Sequence, residues 1–471
     1  MKETKFKAPP PSADAGPGAR VRPPLADIDT VRVQLPDVAG VEGIAGVMEV
    51  SRLQLEREVG ARFVREGGEG TFSISIADVD APTATVDRAR GTLSLEASAL
   101  PGLFEAFDRI RDLWMPGVDT ASSVDLHTDA EVGEAIATSV RTTWPALDRS
   151  AWDAACARYQ HRVGEPGVAE AWVATLGDAH TGIRRQPVGR LPYDARLIDD
   201  AIVFTVVPEG TLAALAGLRP GAVLEDVDVS RICRTTGASP HSKAHVVGYR
   251  ALQGPLSVAR SLSARNPDGS RICWEETPGR MPWNALTAHS RHGNIGYLRI
   301  RQWLAPEVNE GIETALAALS GCRLLVVDLR GNTGGNGVSA MGFAGRFLRG
   351  SGGATVRWTL PDGQLTPHEP IPYPDAEPWP GEVRFLTDGL TYSASEDLLL
   401  PLARMPHVQV WGERSGGGSG RVRRVRLWPD VRLTVTSCHT FTAAGDRLEG
   451  RGIPVDREIR LDGDLGEALR P

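Results

Sequence analysis

Val326-Val327-Asp328-Leu329-Arg330-Gly331-Asn332-Thr333-Gly334-Gly335-Asn336-Gly337 joins an apolar run to a glycine-rich turn. The run Leu324–Leu329 reads as a buried core strand, and a helix is expected after the turn. Glycines permit positive φ and close backbone approach. Successive N–H groups in such a turn form an anion nest. A phosphate loop is the obvious rival, but no Lys-Ser/Thr ends the turn. Its spacing is neither G-x-x-x-x-G-K nor G-x-G-x-x-G. A plain strand-to-helix turn is the other reading of this stretch.

Outward from it, the strands Gly296–Ile300, Leu324–Leu329, Val383–Leu386 and Val408–Trp411 alternate with the helices Glu310–Leu319, Val338–Phe347 and Ser395–Met405. That alternation predicts an α/β layer architecture. Upstream, residues 191–280 read as strands and turns. Ala201–Val207 is a buried strand, Thr211–Ala216 a short helix, Leu218–Gly221 a tight turn and Ala222–Val229 a strand. Residues 130–177 read as mainly helical. Residues 31–115 read as a small α/β unit with no visible chemistry: helix Val47–Val64, strands Thr71–Ala77 and Gly91–Glu96, helix Leu100–Leu113. The expected division is a Pro-rich tail 1–30, an α/β unit 31–115, a helical region 116–190, an insert 191–282 and an α/β core 283–471.

The 471 residues carry 41% hydrophobic and 24% charged residues, a balance that excludes a wholly disordered or fibrous chain. Net charge is −7, from 52 basic and 59 acidic residues, which argues against a nucleic-acid binder working by phosphate neutralisation. Lysine is confined to Lys2, Lys5, Lys7 and Lys243, so arginine supplies almost all positive charge. Cys156, Cys233, Cys273, Cys322 and Cys438 are far apart and form no C-x-x-C pair. They read as buried free thiols, with neither a disulfide framework nor a zinc site. No metal or cofactor is expected. The N-terminus has no apolar h-region and no run is long enough to span a membrane. A cytoplasmic protein is the expectation.

Four stretches carry possible chemistry. Thr391-Tyr392-Ser393-Ala394-Ser395-Glu396 opens a helix after a strand and a turn. A serine there faces a crevice at a helix N-terminus, and the Ala394 N–H can point at an oxyanion. Ser393-x-x-Glu396 is equally a plain capping box. The glycine turn at Gly334 and Gly335 offers further N–H groups. His180, in Asp178-Ala179-His180-Thr181, is a candidate base, with His407 and His439 as rivals. Glu449, in Leu448-Glu449-Gly450-Arg451-Gly452-Ile453-Pro454-Val455-Asp456, is a carboxylate able to orient a base.

In this order the motifs resemble the tail-specific (C-terminal processing) and tricorn-type serine proteases. The resemblance covers roughly residues 130–460. It rests on Asp178-Ala-His180-Thr181, Asp328-Leu-Arg-Gly-Asn-x-Gly-Gly335, Ser393-Ala-Ser-Glu396 and Glu449-x-x-Gly-Ile-Pro. Thr211–Val229, with Ala213-Ala214-Leu215-Ala216-Gly217-Leu218-x-Pro220-Gly221, is similar to a PDZ helix and turn. The resemblance implies a ClpP/crotonase-like α/β core and a PDZ-like insert. It also implies peptide-bond hydrolysis through an acyl-enzyme on Ser393, with peptides or unfolded protein segments as substrate.

One branch of the family uses a lysine base; here Gly418 stands at that position, and no lysine follows Lys243. The other uses a histidine ahead of the PDZ segment, which implies His180 as base and Glu449 as relay. Ala179 replaces the serine that precedes the histidine in that pattern. The resemblance further implies an oxyanion hole from Ala394 with Gly334 or Gly335, and supporting roles for Glu396 and Asp328. Acyl transfer or peptide cyclisation by the same acyl-enzyme, and a non-catalytic binding protein on the same fold, are the alternatives. A homo-oligomer is compatible with all of them.

Overall fold

The computed structural model describes five strands between residues 30 and 97, then residues 128–470 with gaps at 186–187, 257, 280–285, 305–306, 350–352, 360–364, 372, 374–375, 429–430 and 460–464. The helix Leu100–Leu113, most of the helix Val47–Val64 and the expected tail 1–30 lie outside the described residues, except that Thr30 opens a strand. The end of that Val47–Val64 stretch, Arg62–Val64, is a strand instead. It pairs in parallel with Thr30–Gln34, in a sheet that also holds Thr71–Ile76, Thr92–Ala97 and Thr83–Asp87.

The site rests on a second sheet. Its order is Thr287–His292, Ile295–Ile300, Leu324–Asp328, Glu382–Thr387, Val408–Gly412 and Arg457–Glu458, parallel throughout except for the first strand. Every residue of Leu324–Asp328 is buried, as a parallel strand covered on both faces requires. The helices Glu307–Ala318, Gly337–Gly345 and Ala394–Leu402 cover the sheet, with Trp303, Phe343, Phe347 and Phe385 in the core between. Ligand crevices of such sheets lie beyond the carboxyl ends of the strands. Both the glycine turn and Ser393 lie there.

The helices Asp129–Thr143, Arg149–Tyr159 and Val168–Ala174 pack on the hairpin Val422–Trp428/Val431–Thr436. Val132, Ile136 and Val140 line the buried face at helical spacing. The hairpin continues into the strand Gly182–Arg185, which follows His180. The helical stretch therefore shares its core with a hairpin from the C-terminal part.

Residues 191–276 form an antiparallel sheet, ordered Arg271–Glu276, Arg260–Arg265, Val223–Leu224, Ala201–Val206 and Asp194–Ile198, with a core of its own around Tyr193, Phe204, Val247 and Trp274. The expected strand Ala222–Val229 is only Val223–Leu224. Asp228 ends it by accepting from Arg231 N (2.8 Å), which caps the helix Val229–Thr235. The helix Lys243–Ala251 crosses this sheet so closely that a methyl on Gly248 would overlap the Ala195 carbonyl. Cys156, Cys322 and Cys438 are buried free thiols; Cys273, expected buried, is exposed, and Cys233 is half-buried.

Candidate active site

Ser393 enters the helix Ala394–Leu402 at φ 58° and ψ −123°. A non-glycine residue there is strained and is held by its surroundings. Tyr392 N donates to Asn332 O (3.0 Å) and Ser393 N to Gly418 O (2.9 Å), so one loop on each side fixes the turn. Ser393 is only half-buried, between buried Tyr392 and Ala394.

The capping box does not form. Ser393 makes no side-chain cap bond. Glu396 turns away and accepts from Ser415 Oγ (2.5 Å), Gly417 N (2.8 Å) and Gly418 N (2.8 Å). Burial pushes its carboxyl up to about 7, against the pull of those bonds.

The glycine turn lies directly against Ser393. A methyl on Gly334 would sit 2.6 Å from Ser393 Cβ and 3.0 Å from Ala394 N. Gly334 N is already bound to Asn332 Oδ1 (2.9 Å). The amides of Ala394 and Gly335 donate to no acceptor among the described residues. Of the three expected oxyanion donors, these two are free. Gly335 has φ 135°, and a methyl there would overlap the Trp303 carbonyl.

Asn332, fully buried, anchors the turn through Nδ2 to Ile300 O (3.0 Å). Asp328, at the foot of the turn, is fully buried and accepts from Arg330 Nη2 (2.7 Å) and Tyr297 Oη (2.7 Å). Burial alone would raise its carboxyl, but Arg330 outweighs that and holds it below the usual range.

His180 packs its ring edge-on against Tyr392, with centroids 4.8 Å apart. Burial pushes the imidazole down to about 4, opposed by Asp178. No hydrogen bond joins Ser393 Oγ to His180, and His180 Nδ1 is buried without a partner among the described residues. Catalytic hydrogen bonds of ligand-free enzymes are often long.

The carboxylate nearest the imidazole is Asp178, which the sequence reading passed over. Its Oδ1 accepts from His180 N (3.0 Å) and Tyr392 Oη (3.1 Å). Its Oδ2 accepts from Thr181 N (2.9 Å), Thr181 Oγ1 (2.7 Å) and Thr436 Oγ1 (2.5 Å). Burial opposes the charge, but His180 and these hydroxyls hold the carboxyl below its usual range. The Asx turn legible in Asp178-Ala179-His180-Thr181 was its only signal.

Glu449 makes no hydrogen bond to His180. It accepts from Gly420 N (3.1 Å) and Thr440 N (2.9 Å). Burial, with Glu396 adding to it, pushes its carboxyl up to about 8.

Among the rivals, His407 Nε2 is bound to Phe347 O (2.8 Å). His439 is buried and pushed down to about 4, chiefly by burial, with Asp178 opposing. A lysine base is sterically closed: a methyl on Gly418 would overlap Tyr392 Oη. Lys243 Nζ is held by Cys233 O (2.9 Å) and Thr236 O. The sequence reading also missed the contacts that tie the insert to the loop that runs from Glu413 to Gly420. These are His241 Nε2 donating to Ser415 O (2.7 Å) and Glu413 paired with both His245 (3.1 Å) and Arg196 (2.7 Å). Among the described residues no cluster of metal-ligating side chains occurs, and no helix is long and apolar enough to cross a membrane.

No curated protein matches this sequence. Among solved structures, mature CPAF complexed with lactacystin superposes with a TM-score of 0.52 at 11% identity, covering 70% of this chain and 93% of that one. A photosystem II D1 C-terminal processing protease gives a TM-score of 0.47 at 17% identity, covering 71% and 94%. The CPAF likeness establishes the mixed α/β fold. The family described as Peptidase family S41 matches residues 294–459. The segment that carries the glycine turn, Ser393 and Glu449 is thus a peptidase family S41 domain.

Proposed function

We propose that Ser393 attacks the scissile carbonyl and that His180 takes its proton and passes it to the leaving amine. Peptide-bond hydrolysis by a serine nucleophile is the chemistry of the S41 domain. The observation that carries the residue assignment is the strained Ser393 set between two free amides, those of Ala394 and Gly335. Donors fixed in place before charge develops need no reorganisation in the transition state.

A base must be neutral in the free enzyme, and the depressed imidazole of His180 meets that need at pH 7. When it takes the proton, the charge of Asp178 stabilises the imidazolium, because Asp178 is the carboxylate bonded to both His180 N and Tyr392. Glu449 then acts through Thr440 and Gly420 rather than by touching the imidazole. The acyl bond on Ser393 Oγ is broken by water, His180 again carrying the proton. The sheet of residues 191–276 we read as a PDZ-like unit that presents extended peptide chains; peptides or unfolded segments are the substrate.

The test is intact-mass spectrometry after a fluorophosphonate probe. Wild type is expected to gain one adduct, and Ser393→Ala and His180→Ala to gain none. An adduct that persists in Ser393→Ala overturns the nucleophile; one that persists in His180→Ala but is lost in His439→Ala moves the base to His439.

A further inference from the structure

Trp303 follows the strand Ile295–Ile300 and lies, fully buried, against the glycine turn. Its backbone bridges Gly335 in parallel register. Trp303 N donates to Gly334 O (3.1 Å), and Trp303 O accepts from Asn336 N (2.6 Å). The first of these bonds falls on the peptide group that carries the free Gly335 amide. In a trans peptide the carbonyl and the N–H point in opposite directions. Holding Gly334 O toward Trp303 therefore turns the Gly335 N–H away from it, and Gly335 is itself exposed. Gly334 and Gly335, at φ 95° and 135°, have no side chain to resist a flip of that peptide. The orientation has to come from outside the turn, and Trp303 supplies it on both sides of Gly335.

The side chain of Trp303 runs to the element that carries the other donor. Its Nε1 donates to Ser395 Oγ (2.9 Å), and Ser395 Oγ donates in turn to Asn332 O (3.4 Å). Asn332 O also accepts from Tyr392 N (3.0 Å). Ser395 is fully buried and stands two residues after Ser393, in the first turn of the helix Ala394–Leu402. One residue thus grips the Gly335 peptide by its backbone and the Ser393 helix by its indole. We propose that Trp303 is a positioning residue, which sets the Gly335 amide against the Ala394 amide through its indole bond to Ser395. Packing alone asks only for an aromatic ring here, with Phe343 against the indole at 5.9 Å between centroids. Only the indole nitrogen donates, so the bond can be removed while most of the bulk is kept.

The inference rests on the serine nucleophile proposed above. Fluorophosphonate labelling, followed by intact mass over a range of probe concentrations, gives kinact and KI separately. In that reaction Ser393 Oγ bonds to phosphorus, fluoride leaves and the serine proton passes to His180. The phosphoryl oxygen takes the place of the oxyanion. Trp303→Phe and Ser395→Ala are each expected to lower kinact about 10- to 100-fold, the scale of a misplacement of about 1 Å, with KI within about twofold of wild type. The double variant should be no slower than the slower single one, because both substitutions remove the same bond. A merely structural role would lower the unfolding midpoint and leave kinact of the folded protein unchanged. Single variants that label at the wild-type rate with native circular dichroism, or losses that multiply in the double variant, overturn the inference. If Trp303→Phe does not fold, Ser395→Ala alone decides. A wild type that takes no adduct overturns the peptidase reading and this inference with it, whereas a labelled wild type with unaffected variants overturns this inference alone.

Discussion

Two glycine-rich segments face each other across Ser393 and use their backbone in opposite ways. The turn Gly331–Gly335 holds itself with one asparagine, since Asn332 takes Gly334 N and accepts Tyr392 N, and it leaves the Gly335 amide free. The loop Ser415–Gly420 gives its amides away: Gly417 and Gly418 to Glu396, Gly420 to Glu449. A free amide can stabilise a transient charge, whereas a bound one can only fix a shape. On the proposed mechanism the first segment serves the chemistry and the second its scaffold, although both look like glycine-rich loops in sequence.

The sharpest way to break this contrast is Gly335→Ala. Its methyl would overlap the Trp303 carbonyl at a φ of 135° and drive the amide off the nucleophile. A loss of about 100- to 1,000-fold in kcat is expected, the size seen for one oxyanion donor, with folding checked by circular dichroism. A normal kcat would remove Gly335 from the hole.

On the scaffold side, Gly418→Ala should act on stability. Overpacking of this kind costs about 1–3 kcal/mol, read from urea unfolding. Adding Tyr392→Phe removes the nearest overlapping atom, the hydroxyl, but leaves the ring carbon Cζ, so it should recover only part of the loss, which a double-mutant cycle measures. Independent effects would mean the loop yields elsewhere.

A gentler probe is pH. The Glu449 carboxyl lies near 8 in the folded chain and in its ordinary range when unfolded. The folded state thus holds the proton more tightly. Its contribution is complete below the unfolded pKa of about 4.5 and is lost as pH rises through about 8. Glu449→Gln cannot lose it, so the variant should gain stability relative to wild type between those limits. A pH-independent difference would show that Glu449 is ionised in the native protein. The smallest effect is expected from His407→Gln: its imidazole serves the Phe347 carbonyl, so peptide turnover should stay within about twofold, as for substitutions away from a site.

The parallel core was readable because covered strands write themselves as unbroken apolar runs; Leu324–Asp328 is the clearest. Ser393, Gly335 and His180 were reachable through the order of their motifs. Partners distant in the chain were not. The capping-box pattern at Ser393 was indistinguishable from a nucleophile turn until Glu396 found Ser415, Gly417 and Gly418. Asp178 depends on Thr436 and Tyr392, and no local pattern announces either contact. The misread strand Ala222–Val229 failed for the opposite reason: its apolar alternation was local, and the Asp228 cap overrode it.

The Tyr392 hydroxyl against Gly418 also bears on ancestry. Replacing the proposed histidine base by a lysine at 418 requires a second change at Tyr392, because a side chain at 418 meets its hydroxyl and ring. Removing the phenol alone strips Asp178 of a donor. On the proposed mechanism each single step would leave a handicapped intermediate, so the two ways of activating a serine here would be separated by a valley that one substitution at a time crosses with difficulty.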